Sequence, residues 1–350
     1  CTSPVWDTAL AMIALRDAGL PSDHSALQKA ARWVLTQQIH AGGDWQVKNR
    51  RARPGGWAFE FENDLYPDTD DAAIVLMALH LVRLPEEEGK REAMDLGIRW
   101  LLSMQSKNGG WGSFDVDNTK FFVTQIPFCD FGATIDPPTE DVTGHMLELL
   151  GRLGYSRRSP VVRRAVEYLR KTQRKDGSWW GRWGVNYIYG TGCVLPAYRA
   201  VNLNMDNEGV RRAVQWLTAH QNADGGWGET CASYKEPQLG GQGPSTPSQT
   251  AWALLALLAT GRVDDPAVER GVRYILAEQR PDGTWDEPYF TGTGFPGDFS
   301  INYHLYRNYF PLMALGRYRA FLARGGPPAG DKEERSLPVQ PQGEAGRNGP

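Results

Sequence analysis

Apolar residues recur every three to four positions along most of the chain, in two kinds of segment that alternate. Segments of one kind carry Arg, Lys and Glu on one face, whereas those of the other kind are apolar on most sides. A helix that buries one face lies outside and a helix that is apolar all round lies inside, so this alternation predicts outer and inner helices. We therefore predict an all-α fold, an α6/α6 toroid (an alpha-alpha barrel) in which inner and outer helices alternate. The apolar segments span residues 5–15, 70–82, 140–153, 192–201, 248–259 and 309–323.

A Gln, a Gly-containing turn and a Trp six residues after the Gln close four of the amphipathic segments. Such a turn typically ends a helix, because glycine readily adopts the left-handed conformation of the C-terminal stop. A Trp that recurs in every repeat is not a unique catalytic group. We predict that it ties the helix end to the next turn while the Gln amide bonds the backbone there. The pairs are Gln105/Trp111, Gln173/Trp179, Gln221/Trp227 and Gln279/Trp285, and a fifth runs from Gln38 to Trp45 with one residue more.

The number of segments predicts how the chain is divided. Six apolar and five amphipathic segments are visible, and a barrel of twelve helices needs one more outer helix. We expect that helix to precede Cys1, which would make the chain a fragment. We place the helical domain at residues 1–324. Residues 325–350 are rich in Gly, Pro and charge, which predicts a disordered tail.

Composition and charge narrow the classes of function. Hydrophobic residues make up 41% and charged residues 23% of the 350 residues, which is typical of a globular protein. A net charge of −3 gives no reason to expect a nucleic acid partner. The longest apolar runs are about half the ~20 residues that a membrane-spanning helix needs. The four cysteines show no metal-ligand spacing, so we expect a reduced cytosolic setting and neither a metal nor a cofactor.

Acidic residues mark the connection that enters the second inner helix. In a toroid of this kind, the connections from outer to inner helices share one mouth, and the inner helices begin there. Asp68, Asp70 and Asp71 stand at such a start, where the helix dipole favours carboxylates. They suit a helix cap and its first turn. They equally suit a catalytic acid, because an apolar environment shifts carboxyl pKa values and we expect one of the three to be protonated.

A histidine on the next inner helix could serve this acid. Asp141 and His145 are four residues apart, so they share one helix face. A single His on an apolar helix is more often a core residue, but His145 stands at a depth similar to that of the acids. A charged His145 bonded to Asp70 would make that carboxylic acid a stronger proton donor.

Aromatic residues occupy the same connections and line the same predicted mouth. Each of them suits ordinary core packing, but together they would surround an acid at one end of an apolar cavity. Ring faces stabilise cations and offer no nucleophile to trap them, as carbocation chemistry requires. Trp6 stands on the first inner helix, and the other candidates, in or beside the connections, are Phe59, Phe114, Trp183, Tyr187, Tyr189, Phe295, Phe299, Tyr303 and Tyr306.

The chain resembles squalene–hopene cyclases in its Gln-to-Trp repeats, its Asp-Thr-Asp-Asp run at residues 68–71 and its segment at residues 136–145. The resemblance runs from Ser3 to Ala323 and corresponds to the C-terminal, catalytic half of that family. It implies the polycyclisation of squalene to hopene or hopanol, started by protonation of a terminal alkene. It also implies that Asp70 is the proton donor, that Asp68 and Asp71 flank it, that His145 hydrogen-bonds it, and that Trp6, Phe59, Trp183, Phe295, Phe299 and Tyr303 line the cation path. Phe114 stands where some members of the family have Tyr.

Other functions of helical toroids remain open. A protein prenyltransferase β-subunit would need an Asp, Cys and His zinc site, and a non-catalytic binding module would leave the acids without a role. A metal-dependent terpene synthase needs a DDxxD motif, which residues 70–74 break. An inverting glycosidase would hold its two carboxylates about 6.5–9.5 Å apart rather than in one cluster.

The resemblance also implies partners and a location. Squalene is expected as the substrate, and because it resides in lipid, we expect peripheral or monotopic attachment at the cytoplasmic face of the cell membrane. A homodimer is a further expectation. We expect the fragment to be inactive without the rest of its protein.

Overall fold

The chain folds into an inner and an outer layer of helices. The computed structural model describes residues 1–126 and 134–324, so the predicted tail at 325–350 and Cys129 lie outside the described residues. In this part of the chain the only strands are a short antiparallel hairpin, β1 (Gly292–Phe295) and β2 (Phe299–Ile301). The inner helices are α1 (Pro4–Asp17), α3 (Thr69–His80), α5 (Glu140–Arg152), α7 (Tyr187–Ala200), α9 (Pro247–Ala259) and α11 (Tyr306–Arg324), and the outer helices are α2 (Ser25–Thr36), α4 (Glu87–Ser103), α6 (Pro160–Thr172), α8 (Glu208–Ala219) and α10 (Pro266–Ala277).

The six inner helices form a closed ring. Each packs against its two neighbours in the order α1, α3, α5, α7, α9 and α11, and α11 returns to α1. Helix α3 is buried from Thr69 to Leu79 and α9 from Pro247 to Leu258, because other helices surround them. The outer helix α8, by contrast, buries a single stripe of apolar residues. These features confirm the predicted α/α toroid.

The Gln-to-Trp repeats tie each helix end to the next turn, as predicted, and they also join neighbouring outer helices. The amide nitrogen of Gln173 donates hydrogen bonds to the carbonyls of Gly177, in its own turn, and Gly209, at the start of α8, both at 2.8 Å. The indole nitrogen of Trp179 donates to the carbonyl of Leu169 at 2.7 Å and so closes the end of α6. Equivalent indole-to-carbonyl bonds are made by Trp111, Trp227 and Trp285.

The first repeat pairs Gln38 with Trp57, and its predicted pairing with Trp45 is wrong. Trp57 Nε1 donates to the carbonyl of Val34 at 2.9 Å, as the other repeat Trp residues do to theirs. Gln38 donates to the carbonyl of Gly55, so it spans an inserted segment that contains Trp45. The indole nitrogen of Trp45 has no hydrogen-bond partner among the described residues. Spacing along the chain does not detect an insertion whose two ends the fold brings together.

Two inner helices begin earlier than predicted. Helix α7 starts at Tyr187, so Tyr189 lies in its first turn rather than in a connection, and α11 starts at Tyr306. Glu229, which follows the repeat turn after α8, accepts a hydrogen bond from the N–H of Ile188 at 3.0 Å. This distant carboxylate replaces a local cap at α7. Because the glycines at positions 190 and 192 are loop signals, local sequence alone predicts a later start.

Candidate active site

The three acidic residues at the start of α3 have different roles. Asp68 is the N-cap, and its Oδ1 accepts hydrogen bonds from the backbone N–H groups of Asp70 at 2.6 Å and Asp71 at 3.4 Å. The capping interpretation is therefore right for Asp68. It leaves the side chains of Asp70 and Asp71 free of capping and directed into the buried first turn, where Asp70 is 4% exposed.

His145 meets Asp70 from the neighbouring inner helix. His145 Nδ1, on α5, lies 2.7 Å from Asp70 Oδ1, on α3. Both side chains are largely shielded from solvent, so their interaction is weakly screened and stronger than a surface pair would be. The structure thus brings together the acid and the histidine that the sequence singled out.

Burial favours the protonated form of the two flanking carboxyls. It raises the pKa of Asp68 well above its usual range, and the closeness of a second carboxyl group, that of Asp70, acts in the same direction because two carboxylates would repel each other. Burial likewise raises the pKa of Asp71, with a further contribution from Asp68. Asp71 Oδ1 has no hydrogen-bond partner among the described residues. A cluster of carboxyl groups in an apolar setting favours their neutral forms, because the charged forms are poorly solvated and repel one another.

His145 has a second partner that the sequence did not indicate. Its Nε2 lies 3.3 Å from Cys193 Sγ on α7. Burial opposes a charge on His145, but Cys193 and Asp70 together hold the pKa of the imidazole well above 6.5. This direction of shift favours the imidazolium form, in which each ring nitrogen carries an N–H for one of the two partners.

The carboxylates of the buried Asp141 and the partly buried Asp136 hold the connections that carry aromatic residues. Asp141 Oδ2 accepts hydrogen bonds from the backbone N–H groups of Arg182 at 2.7 Å and Trp183 at 2.9 Å. Asp136 likewise accepts hydrogen bonds from backbone N–H groups, including that of Phe114 at 2.5 Å. Asp141 therefore shares the helix of His145, as predicted, but it positions Trp183 rather than the acid.

One group of aromatic rings surrounds the histidine. The ring centroids of Trp6 and Tyr189 lie 6.2 Å and 6.1 Å from that of His145. Trp252 packs edge-on against Tyr189 at 4.7 Å, and Trp6 Nε1 donates a hydrogen bond to the hydroxyl of Tyr306 at 3.1 Å. Together they give the Asp70–His145 pair an apolar wall.

A second group of rings stands in the connections of the mouth. Phe114 and Trp183 meet edge-to-face at 6.2 Å, and Phe59 meets Tyr303 in the same way at 6.2 Å. Tyr303 stacks on Tyr306 at 4.4 Å, so the pair of Phe59 and Tyr303 is continuous with the first group. The hydroxyl of Ser3, the N-cap of α1, donates to the carbonyl of Phe59 and holds that residue in place. Five of the predicted lining residues take part in these contacts: Phe59, Phe114, Trp183, Tyr303 and Tyr306.

Two of the three remaining candidates stand on the hairpin and differ in burial, whereas the third, Tyr187, has the guanidinium of Arg174 over its ring at 4.6 Å. Phe295 and Phe299 have ring centroids 6.4 Å apart, but the Phe299 side chain is 51% exposed. Thr293 Oγ1 donates to the carbonyl of Arg182 at 2.7 Å, which ties the hairpin to the connection of Trp183. Phe299 lies at the outer edge of the aromatic lining, unlike the buried Tyr303.

Sequence reasoning missed Cys193, Trp252, Glu229 and the anchoring roles of Asp136 and Asp141. Cys193 and Trp252 stand in apolar inner segments, where a pattern predicts only core packing. Their proximity to the histidine depends on the rotation of α7 and α9 about their axes, which the sequence does not reveal. In residues 1–126 and 134–324, no group of three or more His, Cys, Asp and Glu side chains is arranged to hold a metal ion.

This arrangement can donate a proton and then stabilise a cation. A carboxyl group hydrogen-bonded to an imidazolium becomes a better acid, because the imidazolium stabilises the carboxylate that forms. The surrounding rings are suited to positive charge. The aromatic lining supplies no strong nucleophile that would trap a carbocation.

The comparisons with known proteins agree with this chemistry. A family model described as the squalene-hopene cyclase C-terminal domain matches residues 2–320. Squalene–hopene cyclase from Alicyclobacillus acidocaldarius is 59% identical over 92% of this chain and 51% of its own length. The enzyme from Schizosaccharomyces japonicus is 49% identical over 91% of this chain and 49% of its own length. The chain thus spans about half the length of the curated relatives it matches.

A solved structure supports the fold. The type II terpene cyclase from Scytonema superposes with a TM-score of 0.63, covering 90% of this chain and 88% of its own. At 19% identity, this similarity concerns the fold rather than the chemistry.

Proposed function

The chain belongs to the squalene-hopene cyclase C-terminal domain family, and from that premise we propose that it supplies the acid-bearing half of a cyclase that converts squalene to hopene or hopanol. The observation that carries the proposal is the buried contact of 2.7 Å between Asp70 and His145. An acid with a cationic partner, walled by aromatic rings, suits the protonation of an alkene better than hydrolysis or group transfer.

The proposed first step is a proton transfer from Asp70. The π electrons of the terminal alkene form the new C–H bond, and the electron pair of the O–H bond remains on Asp70 as a carboxylate. The substrate is thereby converted to a tertiary carbocation. His145 stabilises the new carboxylate through Nδ1–H, so the acid gains strength without a metal ion or a cofactor taking part.

Cyclisation then moves the positive charge along the aromatic lining. Each ring closure uses an alkene of the squalene molecule as the nucleophile and moves the positive charge to the next carbon centre. Ring faces of Trp6, Phe59, Phe114, Trp183 and Tyr303 stabilise the passing cation electrostatically, by about 2 kcal/mol for a desolvated contact. Loss of a proton from the last cation yields the alkene hopene, whereas capture of water and loss of a proton from the protonated alcohol yield hopanol.

The test uses the full-length protein that contains this chain, assayed with squalene in detergent micelles. Asp70→Asn should abolish polycyclic products while leaving the unfolding temperature unchanged, because an amide cannot donate the proton. Asp95→Asn, on the outer helix α4, is the matched control and should retain activity. Pentacyclic product at the normal rate from Asp70→Asn would overturn the proposal and favour a non-catalytic binding module or another isoprenoid-handling toroid.

We also propose peripheral attachment at the cytoplasmic face of the cell membrane. No helix in the described residues is long and apolar enough to span a bilayer. Phe121 and Phe122, in the connection before α5, are 62% and 68% exposed, and Phe61 and Leu65, in the connection before α3, are 62% and 58% exposed. Exposed rings of this kind insert into the bilayer interface and give a lipid-dissolved substrate access to a site.

Vesicle co-sedimentation tests the attachment. Phe121→Ser combined with Phe122→Ser should lower the bound fraction, whereas Tyr318→Ser, on α11, should not. Unchanged binding by the double variant would rule out this surface. The same exposed rings would also be covered in a homodimer, which sedimentation velocity in detergent distinguishes from a monomer.

A further inference from the structure

We propose that Cys193 is a positioning residue for the acid: its sulfur holds the His145 ring with Nδ1 directed at Asp70. This inference rests on the proposed function, in which His145 assists Asp70. Cys193 itself touches neither the reacting carboxyl nor the proposed path of the cation.

His145 has two hydrogen-bond partners in the part of the chain that the structure describes. Nδ1 lies 2.7 Å from Asp70 Oδ1 on α3, and Nε2 lies 3.3 Å from Cys193 Sγ on α7. The ring is thus held between two inner helices, one on each side of its own. A ring with both nitrogens engaged cannot rotate about its Cβ–Cγ bond without breaking both contacts.

The thiol fixes the direction of the second hydrogen bond. Burial raises the pKa of Cys193, so the sulfur is neutral. An imidazolium carries an N–H on each nitrogen, so Nε2–H donates to Sγ. Neutral sulfur is a weak acceptor. The stronger interaction therefore remains at Nδ1, where the negative charge on Asp70 develops during proton transfer.

Small residues on α5 allow Cys193 to come this close. A Cβ at Gly144, next to His145 in sequence, would lie 3.1 Å from the Cβ and the backbone of Cys193. A Cβ at Gly151 would lie 2.5 Å from the carbonyl carbon of Ala200. Helices α5 and α7 therefore approach through two glycines on one face. The contact with Cys193 is built into the packing of the ring rather than made by a mobile side chain.

The carboxylate and guanidinium groups near His145 pair with one another or lie in their own hydrogen bonds, whereas the Tyr189 hydroxyl has no hydrogen-bond partner among the described residues. Glu148, three residues along α5, pairs with Arg152 at 2.7 Å, and Arg317 on α11 pairs with Asp17 at 2.7 Å. Glu148, Arg152 and Arg317 line one cavity of about 60 Å³ together with His145. The titratable and charged groups of the surrounding helices are Asp7 on α1, Asp70 on α3, Asp141, Glu148 and Arg152 on α5, Tyr189 and Cys193 on α7, and Arg317 on α11; α9 faces the cavity with Trp252 and Leu255.

The test measures the charge of His145 directly, in the full-length protein with ¹⁵N-labelled histidine. A titration followed by NMR, with His145 assigned through His145→Gln, should give a pKa about one unit lower in Cys193→Val than in the unaltered protein, because a hydrogen bond to a charged group is lost. Valine fills the space and admits no water in place of the sulfur. Cys193→Ser keeps an oxygen acceptor and should leave the pKa at or above its original value. Cys231→Ala, which removes a thiol that contacts the carbonyl of Phe290, is the matched control and should change nothing.

Activity provides the second readout. In Cys193→Val the alkaline limb of the kcat profile should move to lower pH by about the same amount and kcat should fall about tenfold, with KM unchanged, while Cys193→Ser restores both. A His145 pKa that is the same in Cys193→Val and in the original protein would overturn the inference, and so would a pKa lowered equally by Ser and Val. If the Cys193→Val variant does not fold, a lowered pKa of His145 in the Cys193→Ser variant is enough to overturn the inference. The NMR result stands whether or not the protein cyclises squalene, so failure of the proposed function would be recognised separately.

Discussion

The Asp141 carboxylate accepts a hydrogen bond from the backbone N–H of Trp183 at 2.9 Å, one turn before His145 on the same helix. Helix α5 thus holds the partner of the acid through one side chain and the connection of an aromatic lining residue through another. The acid and the lining are positioned by one rigid element, which is how proteins keep reacting groups in register.

Removing that carboxylate should loosen Trp183. Asp141→Ala leaves the N–H groups of Arg182 and Trp183 without an acceptor in a buried site, so unfolding by urea should show a loss of about 2–3 kcal/mol. Asp141→Asn keeps an acceptor oxygen and should lose less. Equal losses in the two variants would contradict the anchoring role.

Phe59→Ala should alter the products more than the rate of the first step. Protonation by Asp70 remains available, but a cation near Tyr303 loses a ring face worth about 2 kcal/mol when desolvated. Gas chromatography of the products should show partly cyclised, early-terminated species. Phe61→Ala, whose 62% exposed ring packs against Trp33, is the control and should leave the product profile intact.

Stability should fall as pH rises above neutrality. The folded pKa of His145 lies well above 6.5, so the folded state binds a proton more tightly than the unfolded state does. Its contribution is complete below pH 6.5 and is lost as pH rises through the folded value. Urea unfolding between pH 6 and 9 measures the slope, which His145→Gln should reduce. A slope of the opposite sign would be inconsistent with an imidazolium.

The buried carboxyls of Asp68 and Asp71 also make stability fall as pH rises, and they do so over a wider pH range than His145. The folded pKa values of Asp68 and Asp71 lie well above 3.8, so their stabilising contribution is complete below that pH and falls as pH rises through the folded values. Asp71→Asn should therefore flatten the pH dependence of the free energy of unfolding. A steeper dependence in that variant would mean that Asp71 is ionised in the folded protein.

The repeat glutamines should differ in their contribution to stability according to how many hydrogen bonds they make. Gln173→Ala removes the two hydrogen bonds that its amide donates, to Gly177 and Gly209, and the one that it accepts from Arg212, and should cost about 1–3 kcal/mol of stability. The amide of the exposed Gln279 donates to the carbonyl of Gly283 alone, so Gln279→Ala should cost less. Thermal unfolding of both variants in parallel measures the difference, and equal shifts would refute the bridging role of Gln173.

The two helix glycines Gly144 and Gly89 should respond to alanine in opposite directions. A Cβ at Gly144 would press on Cys193 at 3.1 Å and separate α5 from α7, so Gly144→Ala should destabilise the protein. Gly89, on the outer helix α4, has nothing within 4 Å of an added Cβ, so Gly89→Ala should stabilise by about 0.5–1 kcal/mol. Stabilisation by both would show that the ring tolerates a wider spacing.

Local patterns along the chain accounted for most of the fold. The six inner segments were recognised because helices such as α3 and α9 are buried on nearly every side and must be apolar throughout. The acids were recognised because they stand at a helix start. The beginning of α7 and the pairing of Gln38 were predicted wrongly, since a carboxylate at position 229 and an insertion after Gln38 act through space.

The sequence by itself determined the toroid, the repeat turns and the candidates Asp70 and His145, because helical periodicity, turn residues and charge at a helix start are local properties. The tertiary structure decided which of Asp68, Asp70 and Asp71 is a cap. It also decided that Asp141 anchors the connection of Trp183 and that Cys193 lies beside Nε2 of His145. Those outcomes depend on how far each inner helix is rotated and how closely α5 and α7 approach. Packing of the whole ring sets both quantities, so no short stretch of residues encodes them.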